Sequence, residues 1–362
     1  MTPSVEYEAI LNEVNMSKYW SNSIHQLQPY VPGEQVSGDN IIKLNTNESP
    51  YPPSPAVAAA LAGLAASSLK LYPDPLAEDL RISLADNFNV TPNQVFVGNG
   101  SDDVLAMAFM AFFRGKTIQF PALTYSFYPV WCGLFNIDYI NTPMTTDYGI
   151  DTAALALQNG GVIIANPNAP TGKLTPLATI GELATNSHGS VVIVDEAYID
   201  FGGESAVSLI DQHDNILVVQ TFSKSRSLAG LRLGYAIGHP DLIEGLVRVK
   251  DSFNSYPIDS VALACGKAAI EDNEYFEATC DKVIASREVL TTGLELLGFD
   301  VIPSSANFVF AQHKHKAAAE LYQQLKDNNI LVRYFNKPTI DNFLRITVGT
   351  DAEIGALLNT LK

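Results

Sequence analysis

Val191-Val192-Ile193-Val194-Asp195-Glu196-Ala197-Tyr198 is the stretch that decides the fold. Four β-branched residues in succession, with no polar alternation, predict a strand covered on both faces. The run ends on a carboxylate, and in open parallel sheets the carboxyl ends of strands face the ligand crevice. Working outward, similar short runs recur at residues 95–97, 117–120, 161–165, 216–220 and 233–237. Helical patterns separate most of them, among them 102–113 and 176–186. Strand–helix alternation over roughly 200 residues predicts an α/β domain with a mostly parallel sheet.

Beyond about Tyr256 the pattern changes. Phe276, Cys280, Val283, Leu290, Leu294 and Leu297 recur at helical steps, with Arg287 interrupting the row. That spacing predicts a long amphipathic helix. Short strands at 307–311, 330–332 and 343–348 and helices at 317–326 and 352–361 complete a smaller α+β domain. The expected division is an arm packing on the small domain over 1–40, a large domain over 41–256 and a small one over 257–362.

The chain has 362 residues, and 39 acidic against 22 basic side chains give a net charge of −17. Such a field repels phosphate backbones and anionic membrane surfaces, so neither is an expected partner. Three scattered cysteines (Cys132, Cys265, Cys280) and an N-terminus without basic flank or apolar core fit a reduced, cytoplasmic protein. Six histidines lack ligand spacing, so no metal is expected.

The chemistry-bearing residues sit at the predicted strand ends. Asp195, desolvated there, needs a cationic partner: a side chain, a metal or a protonated ring nitrogen. The strand at 216–220 leads into Thr221-Phe222-Ser223-Lys224-Ser225-Arg226-Ser227, with Arg232 eight residues after Lys224. Two hydroxyls and a planar guanidinium suit a phosphate. A lysine in that setting can serve as a neutral amine and form a Schiff base. The strand at 95–97 leads into Gly98-Asn99-Gly100-Ser101-Asp102, where glycines and helix-opening amides suit an anion. Asp103 stands where a dinucleotide fingerprint needs its third glycine, which argues against nicotinamide. Asn166-Pro167-Asn168-Ala169-Pro170-Thr171-Gly172 is a proline-fixed loop whose asparagine can bond a ligand oxygen, and Tyr125 can stack on a flat ring.

Taken in order, these motifs resemble the fold-type I pyridoxal-phosphate aminotransferases. The resemblance runs from Lys43-Leu44-Asn45-Thr46-Asn47-Glu48 through Leu71-Tyr72-Pro73-Asp74-Pro75 to Leu344-Arg345-Ile346-Thr347-Val348-Gly349-Thr350, nearly the whole chain. It implies that Lys224 bonds the cofactor and that Asp195 pairs with its pyridinium nitrogen. It further implies that Tyr198 and Asn168 bond the phenolic oxygen and that Tyr125 stacks on the ring. Ser101, Asp102, Thr221, Ser223 and Arg232 match the phosphate cup. Many relatives carry two adjacent asparagines before Pro-Thr-Gly, whereas this chain has Asn168 followed by Ala169. Arg345 resembles the arginine that binds the donor's carboxylate and, in a subfamily acting on phosphorylated substrates, the acceptor's phosphate; Arg333 resembles the second anion contact of that subfamily, and Asn47 is assigned to the substrate. Tyr72 matches a tyrosine that reaches the partner subunit's cofactor, which implies a homodimer. The implied activity is transamination; an aromatic-amino-acid aminotransferase, a phosphothreonine-type decarboxylase and a non-catalytic pyridoxal-phosphate-binding protein are the rivals.

Overall fold

The computed structural model describes residues 17–25, 27–29, 40–155 and 160–362. The greater part of the expected arm over 1–40 lies outside the described residues. Strands β1 (Ile42–Leu44), β2 (Val95–Gly98), β3 (Thr117–Pro121), β4 (Asp138–Thr142), β5 (Val162–Ala165) and β6 (Val192–Asp195) come first in the chain. They are followed by β7 (Ile216–Thr221), β8 (Gly234–Gly238), β9 (Phe299–Ile302), β10 (Phe308–His313), β11 (Ile330–Tyr334) and β12 (Leu344–Thr347).

A seven-stranded sheet runs in the order β2-β8-β7-β6-β5-β3-β4. The pairs from β4 to β7 are parallel, and β8 is antiparallel to both of its neighbours. The apolar runs alternate faces as a strand must. Val162, Ile164, Val192, Val194, Ile216 and Val218 enter one core, against helices Glu78–Phe88, Leu177–Asn186 and Ser260–Glu271. Ile163, Ile193, Leu217 and Val219 enter the other, against helices Ser101–Ala108, Tyr128–Phe135 and Pro240–Phe253. Both faces are dry, which is why these strands show no polar alternation.

The smaller sheet has the order β1-β11-β12-β10-β9. Its core joins Leu44, Val309, Val332, Leu344 and Ile346 to helix Asn273–Leu296 and to helices Ala318–Asp327 and Asp351–Leu361. Arg287, which interrupts the apolar row of the long helix, is buried and donates to the carbonyls of Phe201 (2.7 Å) and Ala306 (2.9 Å). Residues 42–44, inside the segment expected to run with the large domain, pair in parallel with β11. This pairing carries Asn45, Thr46 and Asn47 to the crevice between the two sheets.

Candidate active site

β6 and β7 lie in register, Asp195 opposite Val219, so their carboxyl ends open on the same crevice. Asp195 is buried; it accepts from the Tyr128 hydroxyl (2.8 Å) and from the Ala197 N–H (3.3 Å). Burial pushes its carboxyl up to about 6, while the Tyr128 hydrogen bond pulls the other way. Among the described residues no ion pair compensates it. A carboxylate in that position is matched by a cationic ligand atom.

β7 delivers Thr221, whose Oγ1 accepts from the Ser223 N–H at 3.1 Å. Lys224 Nζ donates to the Thr46 carbonyl (3.2 Å) and stands 5.6 Å from the Tyr198 ring centre. Arg232 bends back through a left-handed backbone (φ 51°). Its guanidinium meets Ser223 Oγ at 3.4 Å and the Asp102 carboxylate at 3.5 Å. Two glycines make that approach possible. A Cβ on Gly100 would stand 2.7 Å from the Arg232 guanidinium, and one on Gly234 would stand 2.3 Å from the Ser101 nitrogen. Helix Ser101–Ala108 therefore opens against the arginine, and its first amides and the guanidinium form one anion-binding corner. Tyr125 fixes the corner from above, donating to Asp102 Oδ1 at 2.9 Å.

From the smaller sheet come Arg333 and Arg345, directly opposite each other on β11 and β12. Like charges in that register repel, which an anionic ligand between them relieves. Arg345 donates to the Asn45 carbonyl at 2.9 Å and lies 5.4 Å from the Phe308 ring centre. Asn47 is buried, and its side-chain nitrogen donates to the Tyr198 hydroxyl at 3.0 Å.

These groups surround a cavity of about 200 Å³. It adjoins a second of about 660 Å³, which shares Tyr125, Ala169, Arg333 and Arg345 with it and adds Tyr148, Phe335 and Lys337. Ser101, Asp102, Tyr125, Asp195, Tyr198, Thr221, Ser223, Lys224, Arg232, Arg333, Arg345 and Asn47 all line the first cavity. Asn168 does not. It is fully buried, and its amide hydrogens go to the Leu123 carbonyl (3.0 Å) and Thr171 Oγ1 (3.1 Å), while Ala169 forms the wall. Along the loop, neighbouring side chains diverge, so the asparagine faces away because the alanine faces in. Tyr72 is also outside its own chain's cavity; it is 82% exposed and stacks on Tyr256 at 4.7 Å. Sequence reasoning missed Tyr128, three residues after Tyr125 and so within one turn of it, and the wall residues Asn45 and Thr46.

A family model for aminotransferase class I and II matches residues 39–361. The chain belongs to that family. It is 57% identical over 347 residues to histidinol-phosphate aminotransferase 1 of Hydrogenovibrio crunogenus, covering 96% of this chain and 98% of the other. To the histidinol-phosphate aminotransferase of Aromatoleum aromaticum it is 54% identical over 352 residues, 96% of this chain and 99% of that one. Among solved structures, that of histidinol-phosphate aminotransferase from Sinorhizobium meliloti in complex with pyridoxal-5'-phosphate shares the fold. The TM-score is 0.84 at 24% identity, over 96% of this chain and 97% of that one.

Proposed function

We propose that this aminotransferase uses pyridoxal phosphate to interconvert L-histidinol phosphate plus 2-oxoglutarate and imidazole-acetol phosphate plus L-glutamate, a step of histidine biosynthesis. The paired guanidiniums of Arg333 and Arg345 carry the substrate half of that reading. A dianionic phosphate on one substrate and a carboxylate on the other both suit that fork. The names of the relatives at 54–57% identity agree with it.

The donor set fits the cofactor. Asp195 would pair with a protonated pyridine nitrogen, its buried charge then matched. The amides of Ser101 and Asp102, the hydroxyls of Thr221 and Ser223, and Arg232 bind the phosphate. Tyr125 would pack on the ring, and Tyr198 would donate to the phenolic oxygen. When bound, pyridoxal phosphate supplies an electron sink for the charge left on the substrate's reacting carbon. Lys224 Nζ would anchor the group at rest and, as a neutral amine, would carry the proton of the substrate's reacting carbon across to the cofactor. Arg345 and Arg333 would together take the phosphate of histidinol phosphate in one half-reaction and a carboxylate of glutamate in the other, presenting the carbon–hydrogen bond to be broken to Lys224.

The chain acts as a cytoplasmic homodimer in this reading. Exposed Leu69, Leu71, Tyr72 and Phe253 give it an apolar surface to cover, with Tyr72 reaching the partner's site. The buried free thiols of Cys132, Cys265 and Cys280 suit a reducing compartment. The division into an arm over 1–40, a large domain over 41–256 and a small one over 257–362 belongs to the same proposal.

The test is turnover of histidinol phosphate against phenylalanine, each with 2-oxoglutarate as acceptor. Histidinol phosphate is expected to win on kcat/KM. Preference for phenylalanine, or release of CO₂, overturns the substrate assignment. The cofactor is checked by the absorption spectrum before and after borohydride, with a visible band that reduction fixes at Lys224.

A further inference from the structure

Asn47 occupies a left-handed backbone position (φ 57°) and is 1% exposed. Its N–H donates to Thr347 Oγ1 and its carbonyl accepts from Asn307 Nδ2, each at 3.0 Å. A backbone N–H can only donate. Thr347 Oγ1 is therefore the acceptor in that bond, and its own proton is free for another oxygen. Asn47 Oδ1 lies 3.0 Å away and takes it. The carboxamide is thereby oriented, oxygen on Thr347 and nitrogen toward the Tyr198 hydroxyl, 3.0 Å distant. That nitrogen also only donates, so the tyrosine oxygen accepts and the phenol proton must point elsewhere. Asn47 Nδ2 thereby occupies one side of the tyrosine oxygen and turns the phenol proton away from it.

Tyr198 lines the cavity. Across from it the loop 166–172 presents Ala169, and both amide hydrogens of Asn168 are spent on protein oxygens. We propose that Asn47 is a positioning residue that turns the Tyr198 hydroxyl proton onto the cofactor's phenolic oxygen, making good the amide that this loop does not supply. The chain of donors starts at a main-chain N–H of the segment after β1 and passes through Thr347 of β12. The smaller sheet thus sets a hydrogen bond on a group held by the larger one. In this role Asn47 acts through the tyrosine.

The inference rests on the pyridoxal-phosphate reading, and its test reads the bound chromophore instead of turnover. A hydrogen bond donated to the phenolic oxygen stabilises its negative charge and so lowers the pH at which the lysine-bound chromophore loses its proton. Purified holoenzyme is titrated across pH while the visible band is followed. Asn47→Gly, which suits the positive φ and removes only the side chain, is expected to raise the midpoint by about half a unit to one unit. Tyr198→Phe is expected to raise it by about one to two units. The double variant should match Tyr198→Phe alone, because without the hydroxyl Asn47 has nothing to orient.

Additive shifts in the double variant would overturn the inference. So would an unmoved midpoint in Asn47→Gly with a raised KM for histidinol phosphate, the signature of a substrate ligand. Should Asn47→Gly not fold, Thr347→Val releases the carboxamide while keeping strand shape. It should move the midpoint the same way by less, and by nothing in the Tyr198→Phe background; any other result counts against the inference. A wild type with no visible band brings down the functional reading and this inference with it. A normal band indifferent to Asn47 and Thr347 brings down the inference alone.

Discussion

The floor of the cavity, at the ends of β6 and β7, and the wall supplied by β11 and β12 are built on different kinds of strand. Every residue of β6 and β7 is buried, so Asp195 and Thr221 are fixed by the same packing that makes the larger core. Arg333 and Arg345 occupy half-buried positions and are held by a carbonyl and by aromatic rings. The floor is therefore set by packing alone, at the cost of a buried carboxylate with no cationic partner among the described residues. The wall can change its residues without opening the core. On the proposed function, reaction chemistry resides in the floor and substrate choice in the wall, and the two should separate under mutation.

The largest effect tests the floor. Lys224→Ala is expected to lower kcat on the order of 10³-fold or more, because the proton carrier is gone. Circular dichroism should be unchanged, since Lys224 is half-buried at the crevice and fills no core space. Asp195→Asn keeps shape and removes the charge. A drop of about 10²–10³-fold in kcat for every substrate, with weaker cofactor retention in dialysis, is expected from breaking a buried charge pair. If either variant altered the ratio of histidinol phosphate to phenylalanine turnover, floor and wall would not be separable.

The wall gives the smaller and more selective effect. Arg333→Ala is expected to lower kcat/KM for histidinol phosphate by about 10- to 100-fold, the worth of a charge-assisted hydrogen bond. Phenylalanine, which lacks the phosphate, should be much less affected, and the cofactor band should stay in place. Steady-state kinetics on both substrates with one enzyme preparation checks this. An equal loss on both would place Arg333 with the floor.

The same contrast explains what could be read from the sequence. Strands β5, β6 and β7 are unbroken apolar runs because both faces are dry, and their ends mark Asp195, Thr221 and Lys224 directly. β4, with Asp138 and Asn141 in an exposed edge strand, carries no such pattern. β1 is three residues long, and its partner strand lies almost at the other end of the chain. Within the site, Lys224, Arg232 and Arg345 announce themselves by type and spacing. Tyr128 and Thr347 do not, because each acts on another side chain and only the fold brings them together. The loop 166–172 shows the limit most plainly: Asn168 and Ala169 are adjacent in sequence, and only the fold sends them to opposite sides. The interruption at Arg287 was visible, but its use as a clamp on two carbonyls was not.

The comparison can be sharpened once more inside the floor, where Asp195 and Glu196 are consecutive and face opposite ways. Asp195 lines the cavity, whereas Glu196 is closed by the protein. It accepts from Ser205 Oγ (2.6 Å), the Ala206 N–H (2.7 Å) and Gln220 Nε2 (2.8 Å). Burial still dominates and pushes its carboxyl from 4.5 up to about 7. The folded chain then binds a proton that the unfolded chain has released between those two values. Stability from this group is complete below pH 4.5 and is lost as pH rises through about 7, by an amount on the order of 3 kcal/mol. Glu196→Gln cannot release that proton. Urea midpoints measured from pH 5 to pH 8 should therefore fall more steeply for the wild type than for the variant. Parallel curves would mean that the three donors hold Glu196 charged throughout. The floor would then carry two buried negative charges in succession, and the cationic ligand atom at Asp195 would have more to neutralise than one carboxylate.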